Sequence, residues 1–295
     1  MIFNNKFSNI LYLKKNKIIY VAIPKAACSS IKLAIAKILN LNLNNSTSIH
    51  SSKAIRIHDE LIWRKYNLFF LLKSSFIARN KNKNIKTFTV VRNPYSRIFS
   101  AWQNKILEKE PMYALKYNNL SENIYPNTIR SIQLSFESFM VYLESNMSKV
   151  DSFDNHWKPQ SLYLELGNVD YDFIGKVEEF EKVEIYLKHN LNAPEIKLER
   201  LNETMMKFNS VFLTPRAVSI IQKIYKDDFK NFGYSLEIPD PKNIPTNLDL
   251  FAEKIDIIRQ KNHRIAEMMT LKIGSQIFLR LLILRIKQFF STRKI

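Results

Sequence analysis

The chain has 295 residues, with 45 Lys and Arg against 27 Asp and Glu, a formal net charge of +18. An apolar share of 46% with 12% aromatics excludes a disordered chain, and the length is ample for one large domain with its own core. A single cysteine, Cys28, excludes an internal disulfide and thiolate zinc sites, and four glycines exclude the loops G-x-x-x-x-G-K-[ST] and G-x-G-x-x-G.

Residues 1–20 carry Lys6, Lys14, Lys15 and Lys17 without an apolar stretch, so no targeting segment is read there. No run of 18 uncharged apolar residues follows, and the simplest expected compartment is the cytoplasm. Ile18-Ile19-Tyr20-Val21-Ala22-Ile23 is a continuous β-branched and aromatic run, predicted as a buried strand that Pro24 ends. Ser29 and Ser30 are predicted N-caps of a helix with Ile31, Ala34, Ile35, Ile38 and Leu39 on one face. A polar loop over 40–52, a helix over 59–78 and a solvated connector over 80–84 come next. Thr87-Phe88-Thr89-Val90-Val91 is the second predicted strand, and Pro94 starts a helix buried through Ile98, Phe99, Trp102 and Ile106.

Residues 111–130 read as an irregular loop, and Phe136, Phe139, Met140 and Leu143 as a short amphipathic helix. A third strand is predicted at 171–175, with helices from about Glu179 to His189 and from Thr214-Pro215 onward. Alternating strands and helices argue for an α/β fold with a central parallel sheet flanked by helices. Pro239, Pro241 and Pro245 mark a linker, so the expected organisation is a domain over 1–238 and a basic helical C-terminal extension over 239–295. Residues 241–295 hold 11 Lys and Arg against 4 Asp and Glu. Two helical segments are expected there, 248–268 and 271–290. The second has Lys272, Gln276, Arg280 and Lys287 on one stripe, which suits either peripheral contact with a membrane surface or packing on the domain or a partner.

Two constellations carry the chemistry. In Pro24-Lys25-Ala26-Ala27-Cys28-Ser29-Ser30 a strand ends, a lysine follows, and small residues and hydroxyls open a helix. Helix N-terminal N–H groups and the helix dipole favour an anion there, and Lys25 adds a mobile cation. In Val91-Arg92-Asn93-Pro94-Tyr95-Ser96-Arg97 through Trp102, an arginine stands at a strand's carboxyl end, where open α/β sheets bind ligands. Ser100 lies two helical turns beyond residue 93, so Arg92 and Ser100 are placed to grip one phosphate from two sides.

These two segments resemble the phosphate-binding signatures of sulfotransferases that use 3′-phosphoadenosine 5′-phosphosulfate (PAPS). The nearest resemblance is to the carbohydrate sulfotransferase family of the chondroitin and dermatan 4-O-sulfotransferases. Further signatures stand at His156-Trp157-Lys158-Pro159-Gln160, at Tyr171 to Glu178, and at Tyr225 to Tyr234. The resemblance covers residues 18–234. It implies a P-loop-kinase-like sulfotransferase fold and transfer of a sulfuryl group from PAPS to a hydroxyl, without a metal. On it, Lys25 contacts the leaving 5′-phosphate and the transferring group. Ala26, Ala27, Cys28, Ser29 and Ser30 supply loop backbone and hydroxyl donors, and Arg92 and Ser100 bind the 3′-phosphate.

Transfer to a hydroxyl needs a general base, and histidine suits neutral pH. His50 lies 25 residues after Lys25, where related sulfotransferases place a catalytic His or Glu, and is the first candidate. His156 is the second and His58 the third. His189 reads as a helix C-terminal charge, Cys28 as a small packing residue, and Glu178 as a residue that orients neighbours or holds a loop. The expected acceptor is a glycan, glycolipid or glycoside, and an oligomer is compatible with the sequence. The expected localisation is cytoplasmic, at the inner face of a membrane where the C-terminal helix engages one. Two other readings stay open. A nucleic-acid-binding protein is disfavoured by the lack of zinc-finger, helix-turn-helix or RNP patterns, and a small-molecule P-loop kinase by the lack of a Gly-rich loop.

Overall fold

The computed structural model describes residues 10–41, 57, 58, 63, 84–114, 116, 117, 120, 124–201 and 204–291, with only the helical backbone for 272–291. His50, nearly all of the helix expected over 59–78, and the side chains of Lys272, Gln276, Arg280 and Lys287 lie outside the described residues.

Four strands form one sheet in the order β1 (Ile10–Leu13), β2 (Ile18–Val21), β3 (Lys86–Val91), β4 (Phe173–Lys176). β2, β3 and β4 are parallel, with Val21 opposite Thr89 and Val91 opposite Lys176. β1, which was not expected, runs antiparallel to β2 through a turn at Lys14–Lys17. The sheet is therefore mixed rather than wholly parallel.

The continuous apolar run of β2 has its reason in the layers. Ile18, Tyr20 and Ala22 face one core with Ile31 and Ile35 of α1 (Cys28–Ile38), while Ile19, Val21 and Ile23 face another on the opposite side. Successive side chains of a strand alternate between faces, so a strand covered on both sides is apolar at every position. β3 continues into α2 (Pro94–Trp102), where Asn93 caps the helix by accepting from the Tyr95 amide at 2.9 Å and Pro94 takes the first position. A five-residue π-helix, Gln103–Leu107, extends α2, and a short helix α3 (Pro111–Ala114) comes next.

α4 (Ile129–Ser145) starts seven residues before the apolar face that predicted it, because Thr128 and Ser131 exchange a reciprocal capping box. α5 (Gln160–Tyr163), α6 (Phe180–Asn190), α7 (Pro215–Ile224) and α8 (Lys226–Phe232) follow. The two predicted C-terminal segments are one helix, α9 (Leu248–Ser291), since no breaker interrupts Met268-Met269-Thr270-Leu271. It packs on α3, and its first turns bury Leu248, Phe251 and Ile255 in the apolar cluster that also holds residues of α2, α4 and α7.

Candidate active site

The loop between β2 and α1 turns tightly without glycine. Ala26 closes a turn onto the Ile23 carbonyl at 3.2 Å, and Lys25 (φ 68°) and Ala27 (φ 57°) both occupy the left-handed region. Ala27 is the N-cap of α1 and no side chain caps the helix, so Ser29 and Ser30 are not the N-caps expected. Both lie in the first turn with their hydroxyls engaged elsewhere. Ser30 Oγ accepts from the Leu201 amide at 3.1 Å, and Ser29 Oγ lies 2.8 Å from His58 Nε2. Holding alanine in the left-handed region costs about 1–2 kcal/mol. Ala27→Gly is therefore expected to raise stability by about 1 kcal/mol in denaturant unfolding, and a loss of stability would show that the methyl group contributes packing instead.

Lys25 Nζ donates to Asn104 Oδ1 at 2.8 Å, and Asn104 Nδ2 in turn donates to Glu108 Oε2 at 3.0 Å. Burial lowers the Lys25 pKa to about 7, helped by the charge of Lys105 and opposed by Glu108 and Glu110. Lys105 is itself buried, pairs with Glu110 and lies 4.8 Å over the Tyr113 ring.

Arg92 follows β3 directly beside this loop. Its Nε donates to Ser96 Oγ at 3.0 Å and its guanidinium reaches the Lys25 carbonyl at 3.3 Å. The hydroxyl in contact with Arg92 is thus Ser96, one turn into α2; Ser100 is a buried residue one turn further along the same helix. The i, i+4 spacing of Arg92 and Ser96 was a usable signal for this contact.

Backbone hydrogen bonds tie the remaining signatures to these two. Gln160 exchanges two bonds with the Arg92 main chain, at 3.0 and 2.8 Å. Asp228, wholly buried, accepts from the Gln160 and Ser161 amides at 2.8 and 2.7 Å, and Tyr225 donates to the Trp157 carbonyl at 2.7 Å. Glu178 accepts from the Asn93 amide and the Tyr234 hydroxyl, both at 2.9 Å, so its role is to hold the loop after β3.

His156 sits in a polar triad. Its Nδ1 lies 2.6 Å from Asp154 Oδ1, and Tyr113 donates to Asp154 Oδ2 at 2.8 Å. An ionised carboxylate only accepts, so His156 carries its proton on Nδ1 and leaves a lone pair on Nε2. Burial lowers the His156 pKa to about 4 against the raising effect of Asp154, with Lys105 and Lys25 adding to the depression. Burial lowers His58 to about 3, and the charges of Lys32, His156, Lys105 and Lys25 act in the same direction. Lys25, His156 and His58 therefore share one electrostatic environment. His58 was only the third candidate by sequence; its position shows in the contact between two segments 29 residues apart. His189 ends α6, and His263 lies on α9 beside Glu267 at 3.3 Å. Among the described residues, no group of three or more His, Cys, Asp or Glu is arranged to hold a metal ion.

The sulfotransferase family matches residues 8–235. The chain is 24% identical to carbohydrate sulfotransferase 12 of Mus musculus over 271 residues, 82% of this chain and 62% of the relative. It is 24% identical to carbohydrate sulfotransferase 12 of Xenopus laevis over 269 residues, 78% of this chain and 61% of the relative. With carbohydrate sulfotransferase 9 of Homo sapiens the identity is 27% over 248 residues, 77% of this chain and 53% of the relative. The chain thus spans 53–62% of the length of these relatives. No solved structure matches it. The expected cytoplasmic localisation is overturned by these relatives, carbohydrate sulfotransferases of which the chain spans only part. That expectation rested on the lack of a targeting segment, and a chain that spans only part of its relatives carries no information on what precedes it. Among the described residues, no helix is long and apolar enough to cross a membrane. With five signatures joined around one lysine and the match covering most of the sequence, the chain belongs to the sulfotransferase family.

Proposed function

We propose that this chain is a carbohydrate O-sulfotransferase that moves a sulfuryl group from PAPS to a hydroxyl of a glycan, glycolipid or glycoside, giving PAP. The observation that carries the reading is that Arg97 joins the loop of Lys25 to the segment of the Asp154–His156 pair, through the carbonyls of Pro24, Asn155 and Lys158, with the lysine close enough for its charge to act on the histidine. Residues 1–238 form the catalytic domain on this reading, and 239–295 its C-terminal extension.

The residues present suit a donor with phosphate at both ends. Lys25 and Arg92 are two cations at adjacent strand ends, bridged by the bond from Arg92 to the Lys25 carbonyl. The α1 N-terminus has no side-chain cap and no acidic residue in its first turn, which leaves it suited to an anion. When bound, PAPS supplies the activated sulfuryl group. In a P-loop-kinase-like loop, Ala26 shapes the turn through its bond to Ile23, the backbone and hydroxyl donors of Ala27, Cys28, Ser29 and Ser30 would hold the 5′ end of the donor, and Lys25 would balance the charge that develops there. Arg92, with Ser96 and Ser100 on α2, holds the 3′-phosphate. His156 Nε2 takes the acceptor proton, while Asp154 fixes its tautomer and stabilises the imidazolium that forms. His58 holds the Ser29 hydroxyl, and His50 is a further candidate base.

The reading has a pH signature. His156 must be neutral to accept a proton, so kcat/KM rises as pH increases through about 4. Lys25 must be charged, so kcat/KM falls as pH increases through about 7. In kcat the alkaline limb lies higher, because a bound anionic donor favours charged Lys25. A profile flat from pH 4 to 9 would reject these assignments. The function itself is tested by titrating the chain with PAP in a calorimeter and assaying PAPS transfer across glycans and glycolipids, with products read by mass. Absence of PAP binding at millimolar concentration overturns it.

A further inference from the structure

The sulfotransferase family match ends at residue 235, yet the next helix reaches toward the lysine of the site. The inward stripe of α9 is apolar at Leu248, Phe251, Ala252 and Ile255 and again at Ala266. Between them, one face of the helix carries Arg259 and Asn262, two polar residues three apart. A helix that merely packed on the domain would continue the apolar stripe.

Both side chains end on the π-helix that extends α2. Arg259 Nε donates to the Leu107 carbonyl at 2.6 Å, and its guanidinium also donates to the Ile124 carbonyl at 2.7 Å. Asn262 Nδ2 donates to the Glu108 carbonyl at 2.8 Å. The last carbonyls of any helix lack partners within it, and a π-helix is an uncommon conformation found mostly at functional sites. Here its wide turn closes with the Glu108 amide on the Gln103 carbonyl at 2.8 Å. Glu108 is held from behind by Asn262, its side chain holds Asn104, and Asn104 holds Lys25 Nζ.

We propose that α9 is a brace for the site, in which Arg259 and Asn262 are positioning residues that fix the π-helix and, through Glu108 and Asn104, the place of the Lys25 ammonium group. The energetics fit a role beyond stability. Arg259 Nη2 is buried with no hydrogen-bond partner, an arrangement that costs free energy where an apolar residue would cost none. The catalytic consequence rests on the sulfotransferase reading above, but the mechanical link from α9 to Lys25 does not.

The test uses the full chain and two separate readouts. The first is the titration of Lys25, followed by NMR of the labelled lysine side chains and assigned with Lys25→Arg. It requires no donor and no activity. In Arg259→Ala/Asn262→Ala the released lysine is rehydrated, and its midpoint is expected to rise by at least about one pH unit from its position near 7. The second is sulfuryl transfer, expected to fall by about 10-fold in kcat. In combination with Asn104→Ala the losses are expected to be less than additive, because all three residues act on one group. Arg259→Lys, which keeps a donor, is expected to recover part of both effects. Asn262→Ala alone removes one bond at a half-buried position, and serves if the Arg259 variants do not fold. A folded variant whose Lys25 titration is unchanged overturns the brace. A normal shift of that titration in a chain that binds no PAP would instead overturn the sulfotransferase reading and leave the brace standing.

Discussion

Lys25→Ala is expected to lower sulfuryl transfer by about 10²–10³-fold while leaving the melting temperature unchanged or higher. The two signs come from the same physics. In the protein without donor, Lys25 is a half-buried cation whose pKa has dropped to about 7, so the fold stabilises its charge poorly. Among the described residues its amine makes one hydrogen bond, to a neutral amide, Asn104, with the carboxylates of Glu108 and Glu110 acting from further away. Removing the amine relieves a desolvated charge and breaks no ion pair with Lys25 itself. On the proposed function the charge meets an anion when the donor binds, and the contact strengthens as negative charge accumulates on the leaving phosphate, the difference between ground state and transition state that accelerates a reaction. Lys25→Arg is not a conservative replacement, since the wide guanidinium cannot occupy the point that the ammonium group takes beside Asn104. Assay of transfer alongside thermal unfolding decides the matter. A variant that loses stability in proportion to activity would make Lys25 a structural residue.

The parts of this site that the sequence made legible are those written in contiguous residues. β2 and β3 were readable because burial on both faces demands apolar residues at every position, and α2 because Asn93, Pro94 and the Ile98-Phe99-Trp102 face all point to a helix. β1 escaped because four residues, Ile10 to Leu13, between polar flanks are too short to show a period. The N-cap of α1 was misplaced because serine is the usual capping residue, whereas here the strained Ala27 leaves the helix and the serines bond to His58 and Leu201. His58 and the Asp154–Tyr113 setting of His156 depend on contacts between distant segments, which no local pattern encodes. The role of Arg259 was not legible, because sequence spacing shows which residues share a face but not what that face meets. Arg259 meets the carbonyls of Leu107 and Ile124.

Arg97→Met is expected to cost about 3–5 kcal/mol, the largest stability effect of any single substitution considered, and to abolish transfer as a consequence. The sequence assigns Arg97 no role beyond its place in the segment after Arg92. The structure buries it to 1% exposure and points its three donors at main-chain carbonyls. Nε donates to Pro24 at 3.1 Å, Nη1 to Lys158 at 2.9 Å and Nη2 to Asn155 at 3.0 Å. One planar fork thus joins the loop before Lys25 to the segment that carries His156, and both of these to α2. Burial lowers the Arg97 pKa, with Tyr225 and the wholly buried Asp228 opposing the shift. Methionine matches much of the volume but supplies no donor, so three main-chain carbonyls lose their partner together, that of Pro24 in a buried position. Arg97→Lys is expected to recover little, because a single ammonium on a flexible stem cannot satisfy three acceptors set in different directions. Denaturant unfolding of both variants measures this directly, and a change below about 1 kcal/mol for Arg97→Met would show that the three bonds contribute no net stability. The same fork explains why Lys25 can sit in the left-handed region without glycine. The carbonyl of Pro24 is fixed by Arg97 and that of Lys25 by Arg92, so the backbone on either side of the strained residue is held by an arginine from α2 or its approach. The strain at Lys25 is sustained by contacts outside the loop, and a loop freed from Arg97 would relax and carry the lysine away from Asn104.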